Sequence, residues 1–189
     1  MSVDEASEQQ EGSEQDAASE SEAVEWPQPS GIFAGDLYRR GVEYIEAFEH
    51  LSDHMPDHKF SAYFLLVHSI ELFLKSFLVA RGFHKDLLWK KPLGHNLPGI
   101  LAECVKHELR PSAKFSSLIA HLQEMNSDYD FRYPTIYRIS VPRPSDCIEI
   151  LSEILKTIYP AVERANIDAK LNFASETRHL RPRKIKWKS

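Results

Sequence analysis

The alternation of apolar and polar positions along the chain reads throughout as helix. Its densest stretch is Lys59 to Phe83, KFSAYFLLVHSIELFLKSFLVARGF. Phe60, Tyr63, Phe64, Val67, Ile70, Leu74, Phe77 and Leu78 step by three and four, which lines them up on one side of a helix. Leu65, Leu66, Leu72, Phe73 and Val79 fill the flanks, so this helix is expected at the centre of a bundle. His68, Glu71 and Lys75 make its middle too polar for a membrane span. Glu71 and Lys75 are one turn apart, in the order that favours a pair along a helix.

Other helices are predicted around it. Phe33, Leu37, Val42, Tyr44, Ile45, Phe48 and Leu51 outline a first helix from about Asp36 to Ser52 despite Gly41, with folding expected to begin near Ile32. Ser52 to His58 reads as a loop broken by Pro56, with Asp57 as a cap for the central helix. Gly82 stands where a helix C-terminus favours glycine. After a polar, lysine-bearing segment from His84 to Gly94 with Trp89 and Pro92, Asn96 is positioned to cap a third helix. Pro98 falls in its first turn, and Leu97, Ile100, Leu101, Cys104, Val105 and Leu109 form its apolar face. Pro111 ends it, and Ser112 caps a fourth through Phe115, Leu118, Ile119, Leu122 and Met125.

Asn126 to Pro144 breaks the pattern with three prolines and four aromatics. It is expected to be a long ordered loop, with Ile136, Ile139 and Val141 alternating as in a short strand. Ser145 is the expected cap of a last helix, with Asp146 and Glu149 in its first turn. Ile148, Leu151, Ile154, Leu155, Ile158, Val162 and Leu171 supply its buried face, and Pro160 is expected to kink or split it. No sheet is predicted. The fold class is all-α, a four- to five-helix bundle.

Charge divides the chain further. Residues 1–25 hold nine acids and no Lys or Arg, whereas 176–189 hold six bases against Glu176 alone. The 26–175 stretch is nearly balanced. Residues 1–30 are therefore expected to be a disordered acidic tail, 31–175 the bundle and 176–189 a basic tail. The two cysteines, Cys104 and Cys147, lack disulfide-framework spacing and suit a reducing cytoplasm. No basic start followed by an apolar run marks a signal peptide. A cytoplasmic protein without membrane association is expected.

Three short motifs follow one another in order. Glu71, Leu74 and Lys75 form E-x-x-L-K on the central helix, His95, Asn96 and Leu97 open the third, and Asp128 to Pro134 reads DYDFRYP. Over roughly residues 36–170 this order resembles the HEPN family of small bacterial helical-bundle proteins, including a subgroup with an F-R-Y-P element. The resemblance implies a bundle that dimerises, in a bacterial defence or toxin–antitoxin setting. Many such proteins are metal-independent ribonucleases whose signature is an Arg followed, after four to six residues, by His. No Arg here satisfies that window: two residues separate Arg81 from His84, ten separate Arg110 from His121, and Arg178 and His179 are adjacent.

The resemblance thus points to a non-catalytic interaction module that binds a nucleotide or RNA. The binding residues expected are His95, Asn96, Arg132 and Tyr133, over a structural polar cluster of Glu71 and Lys75. Glu71 has two candidate partners, Lys75 and the guanidinium of Arg132. Asn96 reads equally as a helix cap, and His95 as a neighbour of an anion held at a helix N-terminus. Tyr129, Phe131 and Tyr133 read either as a stacking surface or as pins that hold the loop to the core. Arg181, Arg183 and Lys184 offer an auxiliary contact to phosphates. Two alternatives remain open: a divergent metal-independent ribonuclease using His95 and Arg132, and a helical scaffold for a partner protein. No cofactor is implied, and Cys104, His107 and His121 do not define a metal site.

Overall fold

The computed structural model describes residues 23–125, 131, 140–180 and 184–188. These form five α-helices and a two-stranded sheet, in the order β1 (Val24–Pro27), α1 (Ser30–His54), α2 (Lys59–Ala80), α3 (Leu97–Lys106), α4 (Ala113–Met125), α5 (Pro144–Glu176) and β2 (Ile185–Lys188). The all-α bundle expected from periodicity is what the chain builds.

α2 is the core. Leu66, Ile70, Leu74, Phe77 and Leu78 are fully buried, and burial is unbroken from Ser69 to Val79. It packs against α1, α5 and α3 at once, which is why apolar residues are needed on nearly every side. With the turn before it, α2 is the one helix among the described residues long and apolar enough to cross a membrane, and 78% of that window lies buried inside the bundle. It closes with a Schellman motif: Phe83 N–H bonds Leu78 O, Gly82 N–H bonds Val79 O, and Gly82 adopts φ +88°. α3 ends the same way, with Leu109 N–H on Cys104 O and Glu108 N–H on Val105 O. There the left-handed position is occupied by Glu108 (φ 72°).

Several boundaries differ from expectation. α1 begins at Ser30, six residues before the predicted Asp36. Its early turns carry Gly31 and Gly35, which depress intrinsic helix propensity but allow a close approach to α5. A Cβ on Gly31 would collide with the Ala165 carbonyl and Ala169, and one on Gly35 would lie 2.7 Å from the Asn166 side chain. Packing has overridden propensity. Asp57 and Ser145 do not cap: α2 starts from a 3₁₀ turn over Pro56–His58, and α5 starts at Pro144, whose missing N–H suits a first turn. Ser112 does cap α4, its hydroxyl accepting from Phe115 N–H at 3.2 Å. α5 is continuous through Pro160 rather than split, with Ile158 and Val162 buried on either side of the proline.

The sheet was not predicted at all. β1 and β2 pair in parallel with Val24 opposite Ile185, Glu25 opposite Lys186, Trp26 opposite Trp187 and Pro27 opposite Lys188. Regular structure therefore begins before residue 30 and continues beyond 176. Trp26 and Trp187 both pack on Phe173 of α5, at centroid distances of 6.4 and 5.2 Å. Four-residue strands carry too few alternations to be read from sequence, and these partners are separated by the whole bundle.

Candidate functional site

The polar residues of the central helix assemble into one cluster. Glu71 is 2% exposed, with apolar neighbours along α2, and an isolated carboxylate there would be costly. Its Oε1 accepts from Lys75 Nζ at 2.7 Å. Across the helix boundary, His95 Nδ1 lies 3.2 and 3.0 Å from the two carboxylate oxygens. His68 Nδ1 stands 3.8 Å from Oε2, too long for a hydrogen bond, and its ring packs near those of Tyr44 and Phe64. Burial pushes the Glu71 carboxyl up, but the His68 and Lys75 side chains, the Lys75 charge and His95 outweigh it and hold the group at about 2. The carboxylate is therefore ionised and acceptor-only at neutral pH, which makes His95 Nδ1 the donor.

Lys75 is fully buried, and its ammonium has a second partner. Nζ lies 4.2 Å from the centroid of the Trp89 ring. Leu88 and Leu93, buried on either side of Trp89, pin the connection between α2 and α3 to the bundle. Trp89 itself remains 55% exposed. One ring face is thus engaged by a buried cation while more than half of the residue meets solvent. Lys90 and Lys91 follow it, and Lys85 precedes it, with Nζ reaching Gln28 O at 3.5 Å.

His95 is 58% exposed at its side chain, and its Nδ1 is committed to Glu71, so Nε2 is the nitrogen left to meet a ligand. Asn96 serves α3: its Oδ1 accepts from Gly99 N–H and its Nδ2 donates to Pro92 O, both at 3.3 Å. With Gly99 N–H taken and Pro98 lacking one, two donors of this helix start are withdrawn from any anion.

Of the expected contact surface, Glu71, Lys75 and His95 meet. Arg132 and Tyr133 lie outside the described residues, as do Tyr129, Arg181 and Arg183. Phe131 is buried and packs 6.0 Å from Tyr63, as a pin would. The Tyr63 hydroxyl donates to Pro142 O, so two points of the segment before α5 are seated on the first turns of α2. Burial raises the Tyr63 phenol, and the nearby Cys147 and Asp146 add to the shift.

From sequence Trp89 has no assigned role, although a tryptophan flanked by lysines in a short polar connector is an available signal. His68 reads there as an interior histidine beside the apolar stripe, not as a neighbour of the Glu71 carboxylate. Cys104 is buried with its thiol on Leu74 O at 3.4 Å, and His107 faces Phe83. Among the described residues no group of three His, Cys, Asp or Glu side chains is arranged to hold a metal. Compared with known protein families, curated proteins and solved structures, the chain finds no match.

Proposed function

We propose that the protein is a HEPN-like module that binds RNA or a nucleotide without cleaving it, through a surface formed by Trp89 and His95 over the Glu71–Lys75 pair. The observation that carries this reading is an exposed indole anchored on a buried ammonium, beside an exposed imidazole held by a buried carboxylate. The indole offers a stacking face to a base, and His95 Nε2 offers a polar edge. Lys90 and Lys91, both exposed and next to Trp89 in the chain, add positive charge to this connector, which favours a polyanion. By the same resemblance the module acts as a homodimer, in bacterial defence or a toxin–antitoxin pair.

The test is fluorescence anisotropy with labelled single-stranded RNA. Trp89→Ala should weaken binding by about tenfold or more, the cost of one lost base stack, with the helical signal in circular dichroism unchanged. His95→Ala should weaken it less. Binding unaffected by either change would remove the reading and leave the bundle as a scaffold for a partner protein.

A second reading is favoured by one feature. A histidine oriented by a carboxylate through Nδ1, with Nε2 outward, is arranged as a proton carrier. It supports a divergent metal-independent ribonuclease with His95 as proton carrier and Arg132 as phosphate holder. RNA cleavage in EDTA that disappears in both His95→Ala and Arg132→Ala would establish it.

A further inference from the structure

The parallel pairing of β1 with β2 fixes where the acidic N-terminal segment leaves the fold. Parallel strands start at the same end, so residues preceding β1 emerge beside residues preceding β2. Val24 N–H donates to Lys184 O at 2.8 Å, and the next pairs set Glu25 against Lys186 and Pro27 against Lys188. Along β2 the lysines take alternate positions, 184, 186 and 188, so they recur about every 7 Å along one side of the strand. Trp187, between them, turns to Phe173. Lys184, Lys186 and Lys188 are exposed, and none of them, nor Arg178, makes an ion pair among the described residues. Upstream of β1, residues 1–22 carry eight acids and no base.

We infer that residues 1–22 dock on the lysine strip of β2 and compete there with nucleic acid, making the N-terminal segment a built-in inhibitor of polyanion binding. The sheet register already sets one acid, Glu25, opposite one of these lysines, Lys186. Tethering a 22-residue segment at Val24 holds its carboxylates at millimolar effective concentration around the strip, so contacts that are individually weak suffice to occupy it. Lys85, on the connector that carries Trp89, bonds Gln28 O just after β1 at 3.5 Å, so the connector touches the chain next to the sheet. The competition half of this inference rests on that proposed binding; the docking half does not.

Three proteins test it: the full chain, the chain lacking residues 1–22, and the full chain with those eight acids replaced by Gln or Asn. Each is titrated into labelled single-stranded RNA of about twenty nucleotides, and the full chain is treated with a carbodiimide and mapped by mass spectrometry. Both variants should bind about tenfold tighter than the full chain at about 50 mM salt, and the difference should close by about 0.5 M as screening shortens. Crosslinks should join carboxylates of residues 1–22 to Lys184, Lys186 or Lys188. Equal RNA affinity in all three proteins overturns the inference and leaves the binding reading intact. Binding by none of them overturns the binding reading and with it the competition. Docking is then decided by the crosslinks, whose absence overturns it and whose presence retains it as a charge clasp.

Discussion

A carboxylate shut away from water survives at position 71 because two hydrogen-bond donors and a nearby imidazole surround it. Removing its charge strands the ammonium of Lys75, whose remaining partner is a ring face. Glu71→Gln should therefore destabilise the fold by about 3–5 kcal/mol in urea unfolding at neutral pH. Glu71→Leu combined with Lys75→Met should lose less than Glu71→Gln alone, since the pair then leaves together. The pH dependence follows from the carboxyl standing at about 2 against an ordinary 4.5. Its stabilisation, on the order of 3 kcal/mol, is complete above about 4.5 and drains away as pH falls toward 2. The urea midpoint of the parent should fall more steeply across that window than that of Glu71→Gln. Glu108 is a different residue-scale liability: an exposed glutamate in a left-handed position that the C-terminus of α3 reserves for glycine. Glu108→Gly should raise stability by about 1 kcal/mol, read from the thermal midpoint. The Glu71–Lys75 pair was legible because a helix brings i and i+4 together. That His95 closes on the same carboxylate and that Trp89 covers Lys75 were not legible, because both depend on how the connector between α2 and α3 folds back.

At the scale of elements, helices with a sustained apolar period were readable, as were the ends marked by Gly82, Asn96 and Ser112, while the start of α1 and the caps of α2 and α5 were not. α1 begins early because its glycines serve contact with α5, a tertiary reason that no local preference expresses. α5 persists through Pro160 because residues on both sides of it are buried. The strands are the weakest elements, being short, two in number and edged by solvent. Amide exchange should show them opening at far lower free energy than α2, with Val24 and Trp26 losing protection long before Leu66 or Ile70. Trp187→Ala removes a ring packed on Phe173 and should abolish that residual protection, leaving α2 unaffected.

For the whole molecule, composition placed acid at one end of the chain and base at the other, but could not say that β1 and β2 pair across the length of the chain. The site is likewise an assembly. Its carboxylate and ammonium come from the core helix, its imidazole from the start of α3 and its indole from the connector between them. Each part was visible as sequence, and their meeting was not. The parallel strands also determine how the protein would answer a pull. Tension applied upstream of β1 and downstream of β2 drags the two strands past each other lengthwise. Their hydrogen bonds then share the load together instead of peeling apart one at a time. The element that opens most readily under thermal motion would thus be the one that must shear before the helices can be drawn out.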